Sequence, residues 1–564
     1  MGEVLKQYET WLQYDNLQPE LMEELQQIEG NMKEIEERFY KNLEFGTGGL
    51  RGIIGAGTNR MNIYTVRKAT MGLTNCIIEQ GEKAIKQGVV IAYDSRKYSQ
   101  TFAEESAKVL ATHGVQVYLF NELRPTPLLS FAVRHLHAFA GIVITASHNP
   151  SEYNGYKVYN TDGNQITEEM AEQIYHQMTN VKDILHISVE PLDQLLEQGL
   201  IHYIGKEIDN EYAKNVRSLL LNQDLIAQSG KELSIIYTPL HGTGNKPVRE
   251  ILHQVGFTNL HILKEQEHPD PNFSTVKAPN PEEREVFHLA LQLAKEKNAD
   301  IIMATDPDAD RLGVLVKNGE EYEALNGNQL GAIILYYLLN EKAKKGILPE
   351  NGVMVNTIVT SDLGEKIASA FHIATEKTLT GFKYIGEKIK EYRETGQYTF
   401  LFGYEESYGY LAGDFVRDKD AVQITAIVAE MALVYKLEGK SLLDILDEVY
   451  QRFGYYKEDL VSITLKGIEG SNKIKEIVTS FRENPPKELI GMKVKSVEDY
   501  LLSPMGLPKS NVLKIIFEDD AWIAIRPSGT EPKLKFYFSM VSNSPLSVQE
   551  KLKQLKEAVL AQLT

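Results

Sequence analysis

The chain has 564 residues, of which 43% are hydrophobic, and its formal net charge is −18. Single hydrophobic cores stop growing near ~250 to 300 residues, so several domains are expected. The negative charge argues against nucleic acids and anionic membranes as partners, and no lysine- or arginine-rich block offsets it. The single cysteine excludes an internal disulfide and fits a reducing compartment.

The first residues lack a basic and apolar leader, and no apolar run approaches the ~18 residues of a membrane span. We therefore expect a soluble, cytoplasmic protein. Further along, Pro19 suits the first turn of a helix, and apolar residues from Leu21 to Phe39 recur at spacings of three and four. This stripe predicts one amphipathic helix that packs against the first domain. The glycine-rich residues 45–52 make a poor dinucleotide fingerprint, because Arg51 stands where a glycine is required.

A βαβαβ alternation comes next and predicts a largely parallel sheet covered by helices. It ends at the sequence TASHNP, so Ser147 follows a buried strand, at the sheet edge where such folds bind ligands. The loop offers a hydroxyl nucleophile in Ser147, an imidazole in His148 and, after the predicted turn residues Asn154 and Gly155, the amine of Lys157. The predicted strands are Val89–Tyr93, Val115–Phe120 and Gly141–Ile144, and the predicted helices are Gln100–Thr112 and Leu128–His137.

A second alternation, with a helix predicted near residues 282–296, ends at three carboxylates in alternate positions, Asp306, Asp308 and Asp310. An EF-hand would need Gly at its sixth position and Glu at its twelfth, which hold Arg311 and Lys317 here. A compact loop of three carboxylates suits Mg²⁺.

A third alternation leads to the loop that contains Glu405 and Ser407. From about Gly454 the pattern changes to strand-like runs and a final helix, which predicts a smaller α+β domain. This last part carries a loop of hydroxyls, a glycine amide and cations, which is phosphate-binding chemistry. Its candidate residues are Arg526, Ser528, Gly529 and Thr530.

All four loops, in this order, resemble those of the α-D-phosphohexomutase family of phosphoglucomutases and phosphomannomutases, and the resemblance covers nearly the whole chain. It is most like bacterial α-phosphoglucomutases. The resemblance implies three related α/β domains with mixed, largely parallel sheets plus a smaller C-terminal α+β domain. The expected boundaries are residues 1–205 for the phosphoserine loop, 206–320 for the metal loop, 321–450 for the sugar loop and 451–564 for the phosphate loop.

The resemblance also implies an isomerase that interconverts glucose 1-phosphate and glucose 6-phosphate through a phosphoserine and glucose 1,6-bisphosphate, which is the priming activator as well. Mg²⁺ is the expected cofactor, held by Ser147 and the three Asp residues. Lys157 is the first candidate for the proton shuttle and His148 the second. The other implied roles are phosphoryl contacts for Arg51 and Arg311, and substrate contacts for Glu405, Ser407, Lys419, Gly381 and Phe382.

The chain departs from the family pattern in two places. Phe415 stands where related sequences carry a His after the sugar loop, so any acid/base role of that His is lost. Phe382 replaces the Trp of the glucomutase specificity loop. Phosphopentomutase and phosphomannomutase activities therefore stay open, as does a sugar-phosphate-binding regulatory protein. The sequence leaves open whether the protein is a monomer or a dimer, but it excludes a Gly-x-Ser-x-Gly hydrolase, because Thr145 and Asn149 flank the nucleophile.

Overall fold

The structure is a computed structural model that describes residues 2–46, 48–465, 467–527 and 533–563. It divides into two compact units. Unit 1 consists of Met1–Leu325, Ile385–Gly396 and Tyr408–Leu437, and unit 2 of Asn326–Tyr384, Gln397–Ser407 and Glu438–Thr564.

Helices and strands alternate along most of the chain. The α-helices are α1 Gly2–Leu12, α2 Pro19–Gln27, α3 Met32–Phe39, α4 Ile63–Glu79, α5 Glu82–Gln87, α6 Ser99–Thr112, α7 Thr126–His135, α8 Glu168–Asn180, α9 Leu192–Glu197, α10 Lys206–Ser218, α11 Gln223–Ser229, α12 Asn245–Val255, α13 His288–Lys297, α14 Gly327–Lys344, α15 Leu363–Ala370, α16 Phe382–Thr395, α17 Ala421–Leu437, α18 Leu442–Phe453, α19 Gly467–Glu483 and α20 Pro545–Leu560. Among the described residues, no helix combines the length and the apolarity needed to cross a membrane.

The strands form four sheets. They are β1 Gly49–Ile53, β2 Val89–Tyr93, β3 Val117–Phe120, β4 Ala140–Ile144, β5 Tyr153–Tyr159, β6 Ile201–Ile204, β7 Ile235–Thr238, β8 Leu260–Ile262, β9 Ile301–Thr305, β10 Leu312–Asn318, β11 Glu321–Leu325, β12 Gly352–Thr357, β13 Ala374–Thr378, β14 Thr399–Glu405, β15 Gly409–Leu411, β16 Tyr455–Thr464, β17 Glu488–Leu489, β18 Met492–Asp499, β19 Leu513–Phe517, β20 Trp522–Pro527 and β21 Lys533–Ser542.

The N-terminal segment differs from its prediction, because two helices, α2 and α3, replace the single one expected from Pro19 to Phe39, and a further helix, α1, precedes them. The apolar stripe is real, and Trp11 of α1 packs edge to face on Phe39 of α3 with ring centroids 5.7 Å apart. The break falls at Gly30, whose φ of +78° leaves helical space, and the Asn31 side chain then accepts a hydrogen bond from the Glu34 amide as the cap of α3.

The first sheet of unit 1 has the order β1-β5-β4-β2-β3-β6, in which β4, β2, β3 and β6 are parallel while β1 and β5 are antiparallel to their neighbours. The predicted turn at Asn154 and Gly155 is wrong, since both residues lie within β5. Gly155 is required there by close packing, because a Cβ atom would lie 2.5 Å from the carbonyl oxygen of Thr145.

The second sheet of unit 1 has the order β11-β10-β9-β7-β8, with β7 parallel to both β8 and β9 and with β10 antiparallel to β9. The helix predicted near residues 282–296 is partly wrong. A 3₁₀ turn at Arg284–Phe287 buries Val286 and Phe287, and the α-helix begins only at His288.

In unit 2, β12 lies between β13 and β14 and is parallel to both. The prediction omitted β13, whose sequence ATEKT is polar and half-buried. The C-terminal sheet has the order β16-β21-β20-β19-β18-β17 and its pairs are antiparallel. Helix α20 packs on this sheet and encloses a core that includes Ile523 and Phe536. The predicted fold class is confirmed, whereas the predicted domain boundaries stay predictions.

Candidate active site

Ser147 lies three residues past the end of β4, at the carboxyl edge of the first sheet. Its backbone is left-handed, with φ of +52°, and its amide donates a hydrogen bond to Thr145 Oγ1 at 2.8 Å. The buried Ser147 hydroxyl donates to Asp306 Oδ2 at 2.8 Å, and His148 Nδ1 lies 3.1 Å from Ser147 Oγ. The proposed nucleophile thus lies between an imidazole and a carboxylate.

Arg96 holds this loop, although it was not among the site residues predicted from the sequence. Its guanidinium donates to the carbonyl oxygens of Ser147 at 2.5 Å, Pro150 at 2.8 Å and Tyr153 at 3.0 Å, and also to that of Asn149. One buried side chain therefore binds four carbonyl oxygens of the loop that contains the nucleophile. A signal for it exists in the sequence, because Arg96 follows the predicted strand β2, which ends at the same sheet edge as β4.

Other buried contacts orient the Arg96 side chain. Asp94 Oδ1 accepts hydrogen bonds from the Arg96 amide at 2.9 Å and from Ser99 Oγ at 2.6 Å. The guanidinium also lies over the ring of Phe273, 4.9 Å from its centroid. A cation confined between a carboxylate and an aromatic face loses little entropy when it binds the loop.

The loop after β9 brings Asp306, Asp308 and Asp310 together. Each offers one carboxylate oxygen, and these atoms lie within 4.8 Å of one another in buried surroundings. The chain turns back at Ala309, whose φ is +52°, and the amides of Asp310 and Arg311 both donate to Asp306 Oδ1 at 3.0 Å. The loop is thus folded around its first carboxylate.

Two lysines offset the charge of this cluster. Lys157 of β5 donates to Asp308 Oδ2 at 3.1 Å, and Lys419 Nζ lies 3.1 Å from Asp310 Oδ2. Burial and the neighbouring carboxylates raise the pKa of Asp306 well above its usual range. Burial also acts to raise the pKa of Asp308, but Lys157 together with hydrogen bonds from Asp306 and Thr126 outweighs it, and the pKa falls below its ordinary value.

The cluster fits a hard divalent cation. Asp308 Oδ1 and Asp310 Oδ1 are buried, and neither accepts a hydrogen bond from any residue that the structure describes. Buried acceptors without partners are costly, and a bound metal ion would satisfy both. Thr126 fixes the central ligand from α7, because its Oγ1 donates to Asp308 Oδ2 at 2.9 Å and its amide to the Asp308 carbonyl oxygen at 2.9 Å.

Arg51 lies in β1, and Arg311 directly precedes β10. Arg51 of β1 is exposed and donates to Asn149 Oδ1 at 3.3 Å, whereas Arg311 forms an ion pair with Glu282. Burial, followed by the charges of these two arginines, lowers the pKa of His148 well below its usual range. His148 is therefore a neutral imidazole at neutral pH.

Lys419 is placed by the start of α17. Asp420 accepts hydrogen bonds from the amides of Val422 and Gln423 at 3.0 and 3.1 Å, as a helix cap. Asp418 accepts from Tyr159 Oη at 2.7 Å and pairs with Lys419. Phe415, at the position of the family histidine, instead packs against the ring of Tyr212 with centroids 6.0 Å apart.

Unit 2 brings together the sugar loop and the specificity loop. Glu405 ends β14, is buried, and accepts a hydrogen bond from the Gly381 amide at 2.8 Å. Gly381 has φ of +119°, and Phe382 starts α16 with its ring buried. Ser407 is half-buried two residues past the strand.

Arg526 is half-buried in β20, near Tyr537. Burial and Glu406 raise the pKa of Tyr537 to about 12, although Arg526 opposes the shift. Glu406 also accepts a hydrogen bond from Thr360 Oγ1 at 3.2 Å. The other predicted phosphate ligands, Ser528, Gly529 and Thr530, lie outside the described residues.

Four family profiles match the chain in order. They are the α/β/α domains I, II and III of phosphoglucomutase/phosphomannomutase, over residues 42–184, 210–319 and 326–453, and the C-terminal domain over residues 482–560. Together these matches cover most of the sequence. The chain belongs to the phosphoglucomutase/phosphomannomutase family. As a phosphohexomutase it is an isomerase of the phosphotransferase kind, and the three buried aspartates form its metal-binding cluster.

Relatives of this phosphohexomutase are similar over almost their whole length. The phosphoglucomutase of Staphylococcus aureus strain MRSA252 is 40% identical over 521 residues, which are 90% of this chain and 91% of that protein. That of strain MSSA476 is 39% identical over 533 residues, 92% and 94% of the two chains.

Solved structures agree on the fold. The open form of the Paramecium phosphoglucomutase pp63/parafusin has a TM-score of 0.70 at 19% identity and covers 93% of this chain and 96% of its own. A phosphoglucomutase/phosphomannomutase family protein of Burkholderia thailandensis has a TM-score of 0.67 at 17% identity, with 92% and 97% covered.

Proposed function

We propose that this phosphohexomutase interconverts glucose 1-phosphate and glucose 6-phosphate through a phosphoserine at Ser147 and glucose 1,6-bisphosphate. The observation that carries the proposal is the hydrogen bond of 2.8 Å from Ser147 Oγ to Asp306, within a cluster of three buried carboxylates. The names of the Staphylococcus aureus relatives support glucose as the sugar. We further propose that the protein acts in the cytoplasm on free sugar phosphates, with glucose 1,6-bisphosphate as its priming activator.

In the first transfer, the bond between Ser147 Oγ and phosphorus breaks while a sugar hydroxyl oxygen bonds to the same phosphorus. The sugar hydroxyl must lose its proton as its oxygen bonds to phosphorus. Ser147 Oγ must gain a proton as its own bond to phosphorus breaks. His148 Nδ1 lies 3.1 Å from Ser147 Oγ and is neutral, so it is suited to exchange a proton with that oxygen. Lys157 Nζ lies 3.1 Å from Asp308 Oδ2, and Lys157 is our candidate to accept the proton of the sugar hydroxyl, which it does as the neutral amine.

We propose Mg²⁺ as the metal, with Asp306, Asp308, Asp310 and Ser147 as the residues that would hold it. The all-oxygen donor set and its two unsatisfied carboxylate oxygens fit this ion. When bound, Mg²⁺ supplies positive charge that stabilises the transferring phosphoryl group. Arg51 and Arg311 would contribute hydrogen bonds to the phosphoryl oxygens. Arg96 would fix the orientation of the Ser147 loop and thereby the position of the phosphoryl group on Ser147.

The bisphosphate must reverse its orientation in the site between the two transfers, because one serine serves hydroxyls at both ends of the sugar. Only groups that look alike in both orientations can be bound twice, such as the equatorial 3- and 4-hydroxyls of glucose. We propose Glu405 and Ser407 for these hydroxyls, with Gly381, Phe382 and Lys419 as further substrate contacts. The phosphate that is not transferred would be held by the Arg526 loop, through Arg526, Ser528, Gly529 and Thr530.

The same proposal assigns one role to each predicted domain. Residues 1–205 would supply the phosphoserine, 206–320 the metal ligands, 321–450 the sugar contacts and 451–564 the phosphate contacts. The four family matches, at residues 42–184, 210–319, 326–453 and 482–560, support a division of this kind.

A coupled mutase assay tests the function. The protein is primed with glucose 1,6-bisphosphate in the presence of Mg²⁺, and kcat/KM is compared for glucose 1-phosphate, mannose 1-phosphate and ribose 1-phosphate. We expect the highest value for the glucose ester. A higher value for mannose or ribose would replace the assigned sugar, and binding of all three without turnover would favour a regulatory protein.

A further inference from the structure

Unit 1 contains a cavity whose lining residues are separate from the nucleophile and metal loops. It lies among Leu50 of β1, Lys68 of α4 and Met178 of α8, and its volume is about 140 Å³. An engineered apolar cavity of about 150 Å³ in another protein binds benzene, so this space suits a molecule with a body of about six non-hydrogen atoms.

The cavity contains a cation without a counter-ion. Lys68 is half-buried, and no Asp or Glu lines the cavity among the residues that the structure describes. The preceding residue, Arg67, shows the contrast, because its Nε lies 2.6 Å from a Glu105 carboxylate oxygen. Burial lowers the pKa of Lys68, and no carboxylate opposes that effect. An unpaired ammonium that is partly withdrawn from water gains stability from an anion.

The neighbouring hydroxyls cannot replace Lys68 as donors to a ligand. Thr58 Oγ1 donates to the Lys41 carbonyl oxygen at 2.8 Å, and Thr65 Oγ1 donates to that of Arg60 at 2.9 Å. Both hydroxyl protons are therefore committed to the backbone. Lys68 is left as a charged donor in the cavity wall, and the amide of Asn42 and the hydroxyl of Tyr175 also line it as neutral donors.

Part of the cavity wall is apolar, with Leu43, Leu50, Met178 and Ile184 among its residues. A phosphate dianion would need more than one cation and would lie against these side chains, which is unfavourable. A carboxylate that carries a small apolar body matches both the lysine and the apolar side chains of the lining. One negative charge balances one lysine, and the body replaces water against the apolar wall.

We infer that this cavity binds a small organic monocarboxylate, whose carboxylate pairs with Lys68 and whose apolar body lies between Leu50 and Met178. The site is separate from the one proposed for sugar phosphates and does not depend on it. Leu50 precedes Arg51 in β1, so the bound molecule would contact the strand that carries this arginine.

The first experiment measures binding by calorimetry, with benzoate as the probe and benzyl alcohol and inorganic phosphate as comparisons. We expect benzoate to bind the full-length protein, and Lys68→Met to weaken that binding by at least roughly tenfold, because a charged hydrogen bond is lost. Lys83→Met, which removes an exposed lysine, should leave it unchanged. Lys68→Gln is a second variant should the Met variant not fold.

Three results would overturn the inference: benzoate fails to bind at millimolar concentration, Lys68→Met binds it as tightly as the original protein, or benzyl alcohol binds as tightly as benzoate. Phosphate binding that exceeds benzoate binding and requires Lys68 would also overturn it. The location is tested by NMR of methyl-labelled methionines, with Met178→Leu to assign the Met178 signal. Benzoate should shift the Met178 signal. Shifts confined to other methionine signals would contradict the proposed location.

Discussion

The nucleophile and metal loops of unit 1 differ from the sugar loop of unit 2 in how firmly their functional groups are held. Ser147 Oγ, Asp306 and Asp308 are buried, and each has at least two polar contacts. Of the three polar side chains Glu405, Glu406 and Ser407 in the sugar loop, Glu405 is buried, while the other two are half-buried.

This difference separates chemistry from recognition. Groups that act on a developing charge are most effective when they are fixed before the reaction, because they then need no reorganisation. Groups that bind a sugar in two orientations must accept two arrangements, which partial exposure permits. We therefore expect substitutions at the buried loops to lower kcat and substitutions at the sugar loop to affect binding of the substrate and of the bisphosphate.

The strongest test of the buried site is Ser147→Ala. Without the nucleophile no phosphoserine forms, so kcat should fall by at least ~1,000-fold. Mass spectrometry should find phosphate on Ser147 of the original protein and none at that position in the variant. Ser151→Ala, in the same loop, is the control and should keep both the phosphate and the activity. Full turnover by Ser147→Ala would rule out the covalent route.

Asp308→Asn should cause the second-largest loss of kcat. It removes one anionic metal ligand and leaves the sugar contacts in place, so kcat should fall roughly 100-fold while KM changes by less than about threefold. Steady-state kinetics over a series of Mg²⁺ concentrations provide the measurement. The exposed Asp224→Asn is the matched control. A change confined to KM would move Asp308 from the chemical step to substrate binding.

Arg96→Lys should have a smaller effect on the same step. A lysine cannot bind four carbonyl oxygens with a planar fork, so Ser147 loses its orientation and kcat falls by about 10- to 100-fold. KM and the thermal midpoint should change little, which separates positioning from general destabilisation. The neighbouring exposed Lys97→Ala is the control. A raised KM with normal kcat would contradict the positioning role.

Glu405→Gln should give the smallest effect, a loss of kcat/KM of roughly tenfold for the loss of one charged hydrogen bond. The factor must be the same in both directions, because the overall equilibrium constant is unchanged. The informative measurement is therefore the release of glucose 1,6-bisphosphate per turnover, which should increase. Glu350→Gln at an exposed position is the control. Unchanged release of the bisphosphate would argue against a role for Glu405 in holding the intermediate while it changes orientation.

The sequence by itself was sufficient for the features that depend on local order. The apolar runs before Ser147 and Asp306 predicted buried strands, and both loops do lie at strand ends. The alternate spacing of three aspartates predicted a cation site, and their oxygens do converge. Period and spacing are properties of a short stretch, so they can be read without knowledge of the rest of the chain.

Only the tertiary structure determined which distant residues serve these loops. Lys157 reaches Asp308 because it lies in β5, and this strand includes Asn154 and Gly155, where the sequence had predicted a turn. Arg96 binds the carbonyl oxygen of Ser147 across 51 positions of sequence, and Lys419 reaches Asp310 from the start of α17. These contacts depend on which strands pair and how helices pack on them. No local pattern encodes that pairing, because it results from burial of the whole sheet.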